Sequence, residues 1–150
     1  MQEQIDKDLK TAMLGGDKQW AEVLKGLKNA LQYEAVAQNS ADRQLSEEQI
    51  QKVLAREAKK RQEAADIYQK AGESERAETE LAEKTIIEDY LPEQLDDAAI
   101  AELVKKEIAA AGAPTLADMG KIIGAVKTKA GPAADGAAIA KLVKGALGTQ

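Results

Sequence analysis

The sequence predicts an all-α fold, on the basis of three observations. Alanine, glutamate, lysine, glutamine and leucine are frequent, and all are strong helix formers. Apolar residues recur three and four positions apart, as on one face of a helix. Glycine and proline interrupt this pattern at a few discrete places, such as Gly15-Gly16 and Gly131-Pro132. The 150 residues are therefore expected to form about four helices in residues 1–92 and three in residues 96–150.

The first two helices are separated at Gly15-Gly16, where glycine ends a short first helix. Asp17 follows as the candidate N-cap of the second helix, because its carboxylate can accept a hydrogen bond from the exposed backbone N–H groups. The apolar residues of the second helix predict one buried face: Trp20, Leu24, Leu27 and Leu31.

A polar loop over residues 38–42 precedes a long third helix. Ser46 and Gln49 have the spacing of a capping box at its start, and the helix is expected to run to about Ala71 and stop at Gly72. Its apolar stripe drifts around the helix, which is typical of packing on neighbouring helices rather than of a coiled coil. The stripe consists of Ile50, Val53, Leu54, Ala58, Ala65 and Tyr68.

The fourth helix, predicted from Ser74 to Leu91, is acidic at its start and apolar at its end. Pro92 disfavours helix at the preceding residue, so the first subdomain is expected to end there. Three shorter helices follow in a second subdomain, and short breaks at residues 112–114 and Gly131-Pro132 separate them. They are expected from Asp96 or Asp97 to Ala111, from Thr115 to about Thr128, and from Asp135 to Leu147.

The composition excludes several chemistries. The chain has no histidine and no cysteine, which rules out a thiol nucleophile, a disulfide, a Cys/His zinc site and an imidazole relay. No segment approaches the roughly 18 apolar residues of a membrane span. We expect a cytoplasmic protein with no membrane partner.

No catalytic residue, metal ligand or cofactor is predicted. The serines, Ser40, Ser46 and Ser74, lie at loops or helix starts, where capping accounts for them. Gly120-Lys121 superficially resembles a phosphate-binding loop, but no strand precedes it, and Thr115 and Ile122 stand where that motif needs glycine and a hydroxyl. The carboxylates between Glu73 and Asp89 are interpreted as solvated surface, with a Mg²⁺ or Ca²⁺ site as the less favoured alternative.

Two groups of basic residues are candidate RNA contacts. On the third helix Lys52, Arg56 and Lys60 lie four apart, with Lys59 and Arg61 alongside. We call Lys52, Arg56, Lys60 and Arg61 the basic ridge. The ridge is either a solvated face with local ion pairs, such as Glu57 with Arg61, or a site for RNA phosphates.

The second group lies near the C-terminus. The chain carries a net charge of −5, but residues 119–150 contain five lysines and one acid, a net charge of +4. Without aromatic neighbours, these lysines are suited to contact phosphates of folded RNA rather than to stack on bases. Solubility is the alternative explanation, and no DNA binding is expected. The candidate contacts are Lys121, Lys129, Lys141 and Lys144.

Small residues accompany these lysines. Gly120 and Gly124 form a smooth strip on one helix face, where either another helix or a sugar-phosphate backbone can approach. Asp135 is a candidate cap for the last helix, and Gly136 allows close chain approach.

Several motifs in order resemble the stand-alone GatB/YqeY proteins along almost the whole chain. The most specific are Tyr90-Leu91-Pro92 and Asp118-Met119-Gly120-Lys121, the latter followed by Gly124. The others are Leu45-Ser46-Glu47-Glu48, Lys60-Arg61-Gln62-Glu63-Ala64, Ala71-Gly72-Glu73, Glu80 with Glu83, and Ala134-Asp135-Gly136.

This resemblance implies two helical subdomains and a relation to the tail of the B subunit of the glutamine-dependent aminoacyl-tRNA amidotransferase, a carbon–nitrogen ligase. In that enzyme the tail contacts tRNA, and the catalytic parts lie elsewhere. The resemblance therefore implies a non-catalytic module that binds tRNA or a tRNA-handling enzyme through a basic C-terminal face. A protein-interaction adaptor that binds no RNA is the alternative.

Overall fold

The computed structural model describes residues 1–39 and 42–148. Within these ranges the chain forms seven α-helices and no β-strand, which confirms the predicted all-α fold. Ser40 and Ala41, in the predicted 38–42 loop, lie outside the described residues. The helices are α1 (Gln2–Gly15), α2 (Lys18–Ala37), α3 (Glu47–Lys70), α4 (Ser74–Glu88), α5 (Asp97–Ala110), α6 (Met119–Ala130) and α7 (Gly136–Gly148).

The predicted signals at the first helix boundaries are confirmed. Gly16 adopts the left-handed conformation at φ 73° and ends α1, a conformation that costs glycine little because it has no Cβ. The Asp17 side chain then accepts a hydrogen bond of 3.0 Å from the Trp20 backbone N–H. At the start of α3, Ser46 and Gln49 form the complete capping box.

The fourth helix ends earlier than predicted, at Glu88 rather than Leu91. The N–H groups of Tyr90 and Leu91 bond to the carbonyls of Ile87 and Glu88, three residues back, so the chain leaves the helix in tighter turns. Pro92 then disfavours helical backbone at Leu91, so the helix does not resume after these turns.

The chain divides into two compact units, Met1 to Leu91 and Pro92 onward. In the first unit α1 packs on α2, α3 packs on α4, and α2 contacts both α3 and α4. Its core draws on all four helices and on Leu45. The largest fully buried side chains in it are Ile5, Leu24, Leu27, Leu31, Leu54 and Ile87.

In the second unit α5, α6 and α7 pack against one another around a separate core. Asp96 caps α5 by accepting from the Ala99 N–H at 2.8 Å. A 3₁₀ turn, Leu116–Asp118, comes before α6, where the sequence predicted a continuous helix from Thr115. The core contains Ile100, Val104, Ile108, Ile122, Val126, Ile139, Val143 and Leu147. None of the described helices of either unit is long and apolar enough to cross a membrane.

Candidate nucleic-acid interface

The lysines predicted to contact RNA lie on α6 and α7 of the second unit. The Asp118 carboxylate accepts from the Thr115 N–H at 2.8 Å and so caps the 3₁₀ turn before α6, and Asp135 accepts from the Ala138 N–H at 3.2 Å at the start of α7. The predicted cap role of Asp135 is thereby confirmed. The spacing of the lysines along α6 and α7 then sets which face of its helix each one occupies.

Lys121, Lys141 and Lys144 are exposed and have no carboxylate partner within 4.0 Å among residues 1–39 and 42–148. Many acids of the same unit are already engaged, three of them at helix starts: Asp96, Asp118 and Asp135. The positive charges of these three lysines are consequently available to an external anion.

Lys129 is in a different position. Its ammonium forms an ion pair with Glu107 on α5, and the Glu107 side chain is only 11% exposed. Because the carboxylate is largely removed from water, this pair is screened less than one on the open surface. Lys129 therefore joins α6 to α5, and Glu107 already balances the positive charge that it would offer to a ligand.

Gly120 and Gly124 form an open strip on α6. Both glycines are exposed, and a Cβ placed on either would meet no atom within 4 Å in the described chain, beyond its own helix backbone. Of the two interpretations that the sequence left open, packing of another helix of this chain finds no partner among the described residues. The strip is a smooth surface next to Lys121.

Gly136 accommodates a close approach within the unit itself. A Cβ at this position would stand 3.1 Å from Cε of Lys127, so the lysine stem passes directly over the start of α7. The predicted close approach at Gly136 thus brings a side chain of α6 onto α7.

The basic ridge on α3 is electrostatically balanced by acids of the first unit. The ammonium of Lys52 lies 2.7 Å from Glu48, that of Lys60 lies 2.7 Å from Glu57, and the Arg56 guanidinium donates to Glu34 on α2 at 2.9 Å. The Arg56 hydrogen bond is the largest influence that holds the pKa of Glu34 below its ordinary value. A phosphate at this ridge must compete with carboxylates that are already in place.

Arg61 is already engaged by acids of another helix and is a poor candidate for an RNA contact. The predicted Glu57–Arg61 pair is wrong. Arg61 instead contacts Glu80 at 3.2 Å and Glu83 at 2.8 Å, both on α4. Lys60 takes Glu57, because residues three apart lie on neighbouring positions of the helix surface.

The interpretation of the α4 carboxylates as solvated surface is wrong at two positions. The Glu80 and Glu83 side chains are only 19% and 18% exposed. Desolvation raises the pKa of Glu83, and the Arg61 charge opposes this rise. The sequence could not reveal their burial, since the residues that cover them come from other helices. In the described ranges no three acidic side chains gather closely enough to hold a metal ion.

The chain matches the family model described as Yqey-like protein over residues 2–147, a span that includes both compact units. The chain belongs to the YqeY-like family. No curated protein matches it closely enough to add a relative.

The two most specific motifs of this YqeY-like chain lie in different environments in the structure. Tyr90 donates a hydrogen bond to Asp8 on α1, a contact internal to the first unit. Asp118 caps the turn before α6, whereas Gly120 and Lys121 face solvent. The first motif is structural, and the second contributes to the exposed face.

Proposed function

We propose that this YqeY-like chain is a non-catalytic module that binds the phosphate backbone of folded RNA, with tRNA as the expected ligand. The binding surface is a basic face on α6 and α7, defined by Lys121, Lys141, Lys144 and the Gly120/Gly124 strip. The observation that carries the proposal is that these three ammonium groups have no carboxylate partner in the described chain, whereas the ridge cations do.

The glycine strip supports the same surface. Glycine inside a helix costs roughly 0.5–1 kcal/mol relative to alanine. A Cβ at Gly124 would meet no atom of the described chain within 4 Å, beyond its own helix backbone, so no close approach within that part of the chain requires glycine there. A smooth strip beside Lys121 lets a sugar-phosphate backbone come closer to the helix than side chains would allow.

The composition of the second unit indicates how the RNA would be recognised. Trp20, Tyr33, Tyr68 and Tyr90 are the aromatic residues of the chain, and all precede Pro92. Bases therefore have no aromatic ring to stack on in the second unit, so single-stranded sequence is not the expected target. Lysines that contact phosphates recognise the shape of a folded RNA, and the sequence resemblance to a tRNA-contacting tail makes tRNA the first choice.

A salt titration of bulk tRNA binding tests the proposal. Three phosphate contacts predict a slope of log affinity against log salt of about −2 to −3, since each contact releases counterions. Replacing Lys121, Lys141 and Lys144 together with glutamine is expected to lower the affinity about tenfold or more at low salt and to flatten the slope.

A control with the same loss of charge replaces the exposed Lys7, Lys10 and Lys18 of the first unit with glutamine and is expected to retain the affinity. Absence of tRNA binding at low salt, or equal losses in the two variants, would overturn the proposal. Loss of binding on removal of Lys52, Arg56 and Lys60 alone would move the site to the basic ridge.

A further inference from the structure

An apolar groove runs between α5 and α7 of the second unit. Its volume is about 530 Å³. Its lining includes Ala101 and Ile108 on α5 and Leu142 and Ala146 on α7. The α5 positions span about 10 Å along the helix axis at 1.5 Å per residue, so the groove has the length of two helical turns.

The charged side chains that line the groove are Lys105 on α5 and Lys141 on α7, and its lining contains no acid. Neither lysine has a carboxylate within 4.0 Å in residues 1–39 and 42–148. An apolar floor with an uncompensated cation on each wall is complementary to an apolar ligand that carries negative charge at its edges.

We propose that this groove binds one amphipathic helix of a partner protein, whose apolar side chains enter between α5 and α7 and whose flanking glutamates or aspartates meet Lys105 and Lys141. Recognition of a helix in a groove uses apolar anchors at positions i, i+3, i+4 and i+7, and two turns of helix supply these anchors. The groove is only partly enclosed, whereas small-molecule pockets enclose most of the ligand surface.

A designed peptide probe tests this docking site on the full chain. The probe is a 14-residue helix with leucine at i, i+3, i+4 and i+7 and glutamate at the flanking positions, and its binding is measured by fluorescence anisotropy. A second probe with lysine in place of glutamate is expected to bind at least about tenfold more weakly, because its lysines meet the like charges of Lys105 and Lys141.

Two variants of α5 locate the binding. Ala101→Glu places a carboxylate in the groove four residues before Lys105, a spacing that favours a helical ion pair and so preserves the fold. Lys105→Glu reverses the charge of one wall. Both are expected to weaken binding of the acidic probe at least tenfold.

The matched control is Lys106→Glu, which makes the same charge reversal at an exposed position of α5 that is not part of the groove lining, and it is expected to bind normally. Failure of the acidic probe to bind, or equal binding by the Ala101→Glu variant, would overturn the proposal. So would sedimentation that shows a dimer of the native chain abolished by Ala101→Glu, since a second copy would then occupy the groove. Neither Ala101 nor Lys105 is part of the basic face. The results of the probe experiment can therefore be distinguished from those of the tRNA titration.

Discussion

The phenolic hydroxyl of Tyr90 donates a hydrogen bond of 2.5 Å to Oδ2 of Asp8, which joins the turn after α4 to α1 across 82 residues of sequence. One side chain therefore links the end of the first unit's fourth helix to its first helix. We expect Tyr90→Phe to lower the free energy of unfolding by about 2 kcal/mol, the range for a hydrogen bond to a charged group. Urea unfolding measures the loss. Tyr33→Phe is the control, because Tyr33 is 78% exposed, and an equal loss in both variants would contradict the assigned role.

The Tyr90–Asp8 hydrogen bond is also expected to affect how the stability of the protein changes at alkaline pH. Burial, followed by the hydrogen bond to Asp8, raises the pKa of Tyr90. A tyrosine whose pKa is raised in the folded state stabilises the protein below the pKa of the unfolded state, about 10, and this contribution is lost as pH rises further. Stability is therefore expected to fall above about pH 10 more steeply in the native chain than in Tyr90→Phe. Parallel curves of stability against pH would refute this.

Arg61 is expected to be a stability residue rather than an RNA contact. Its removal in Arg61→Met leaves the two poorly exposed carboxylates of Glu80 and Glu83 without their shared cation, at a cost of about 2 kcal/mol. Lys52→Met removes a surface pair, in which both side chains are about 70% exposed, and is expected to cost about 0.5 kcal/mol or less.

The loss of stability in Arg61→Met is expected to be smaller in acid than at neutral pH. Burial already raises the pKa of Glu83, and loss of Arg61 raises it further. A carboxyl group with a raised pKa is most stabilising when protonated, so the deficit should shrink as pH falls through the pKa of Glu83. Thermal unfolding at neutral and acidic pH measures this, and a deficit that grows in acid would exclude the assignment.

Gly124→Ala separates stability from binding. Because Gly124 has open space around the position of a Cβ, alanine is expected to stabilise the chain by about 0.5–1 kcal/mol while it weakens tRNA binding by covering the strip. Gly131→Ala provides the contrast: Gly131 has a φ of +57°, where alanine is strained, so that variant should lose stability. A stabilised Gly124→Ala variant with unchanged tRNA affinity would remove the strip from the proposed surface.

Asp135 is expected to act through its cap. Asp135→Ala removes the acceptor for the Ala138 N–H and should cost about 1 kcal/mol, whereas Asp135→Asn retains an acceptor oxygen and should cost little. Both variants remove a negative charge from a basic region, so neither should weaken tRNA binding. A loss of tRNA affinity in Asp135→Asn would indicate a direct role in binding.

Local signals made much of the fold predictable. Gly16, Asp17, Ser46 and Asp96 act within four residues of their own positions, so sequence spacing was enough to identify the helix boundaries that they set. The end of α4 was placed three residues too late, because the tighter turns before Pro92 depend on backbone bonds that no side-chain pattern indicates.

The candidate site was less predictable, since ion pairing depends on tertiary neighbours. The partners of Arg56 and Arg61 are 22 and 19 residues away in sequence, and no helical periodicity identifies them. The α5–α7 groove was likewise not anticipated, because it exists only once two helices pack with a space between them. The exposure of Lys121 and Lys144, by contrast, was predictable, because they lie between the apolar positions of periodic helices.

The backbone hydrogen bond from the Leu95 N–H to the Ala133 carbonyl measures 2.7 Å and ties the start of the second unit to the turn before α7. The position at which the polypeptide joins the three-helix core is therefore set inside that core rather than by what comes before it. Genetic fusion of a different protein ahead of Leu95 would leave this junction intact. The second unit thus carries within itself the contact that sets where the chain enters it, as a domain joined to another protein must.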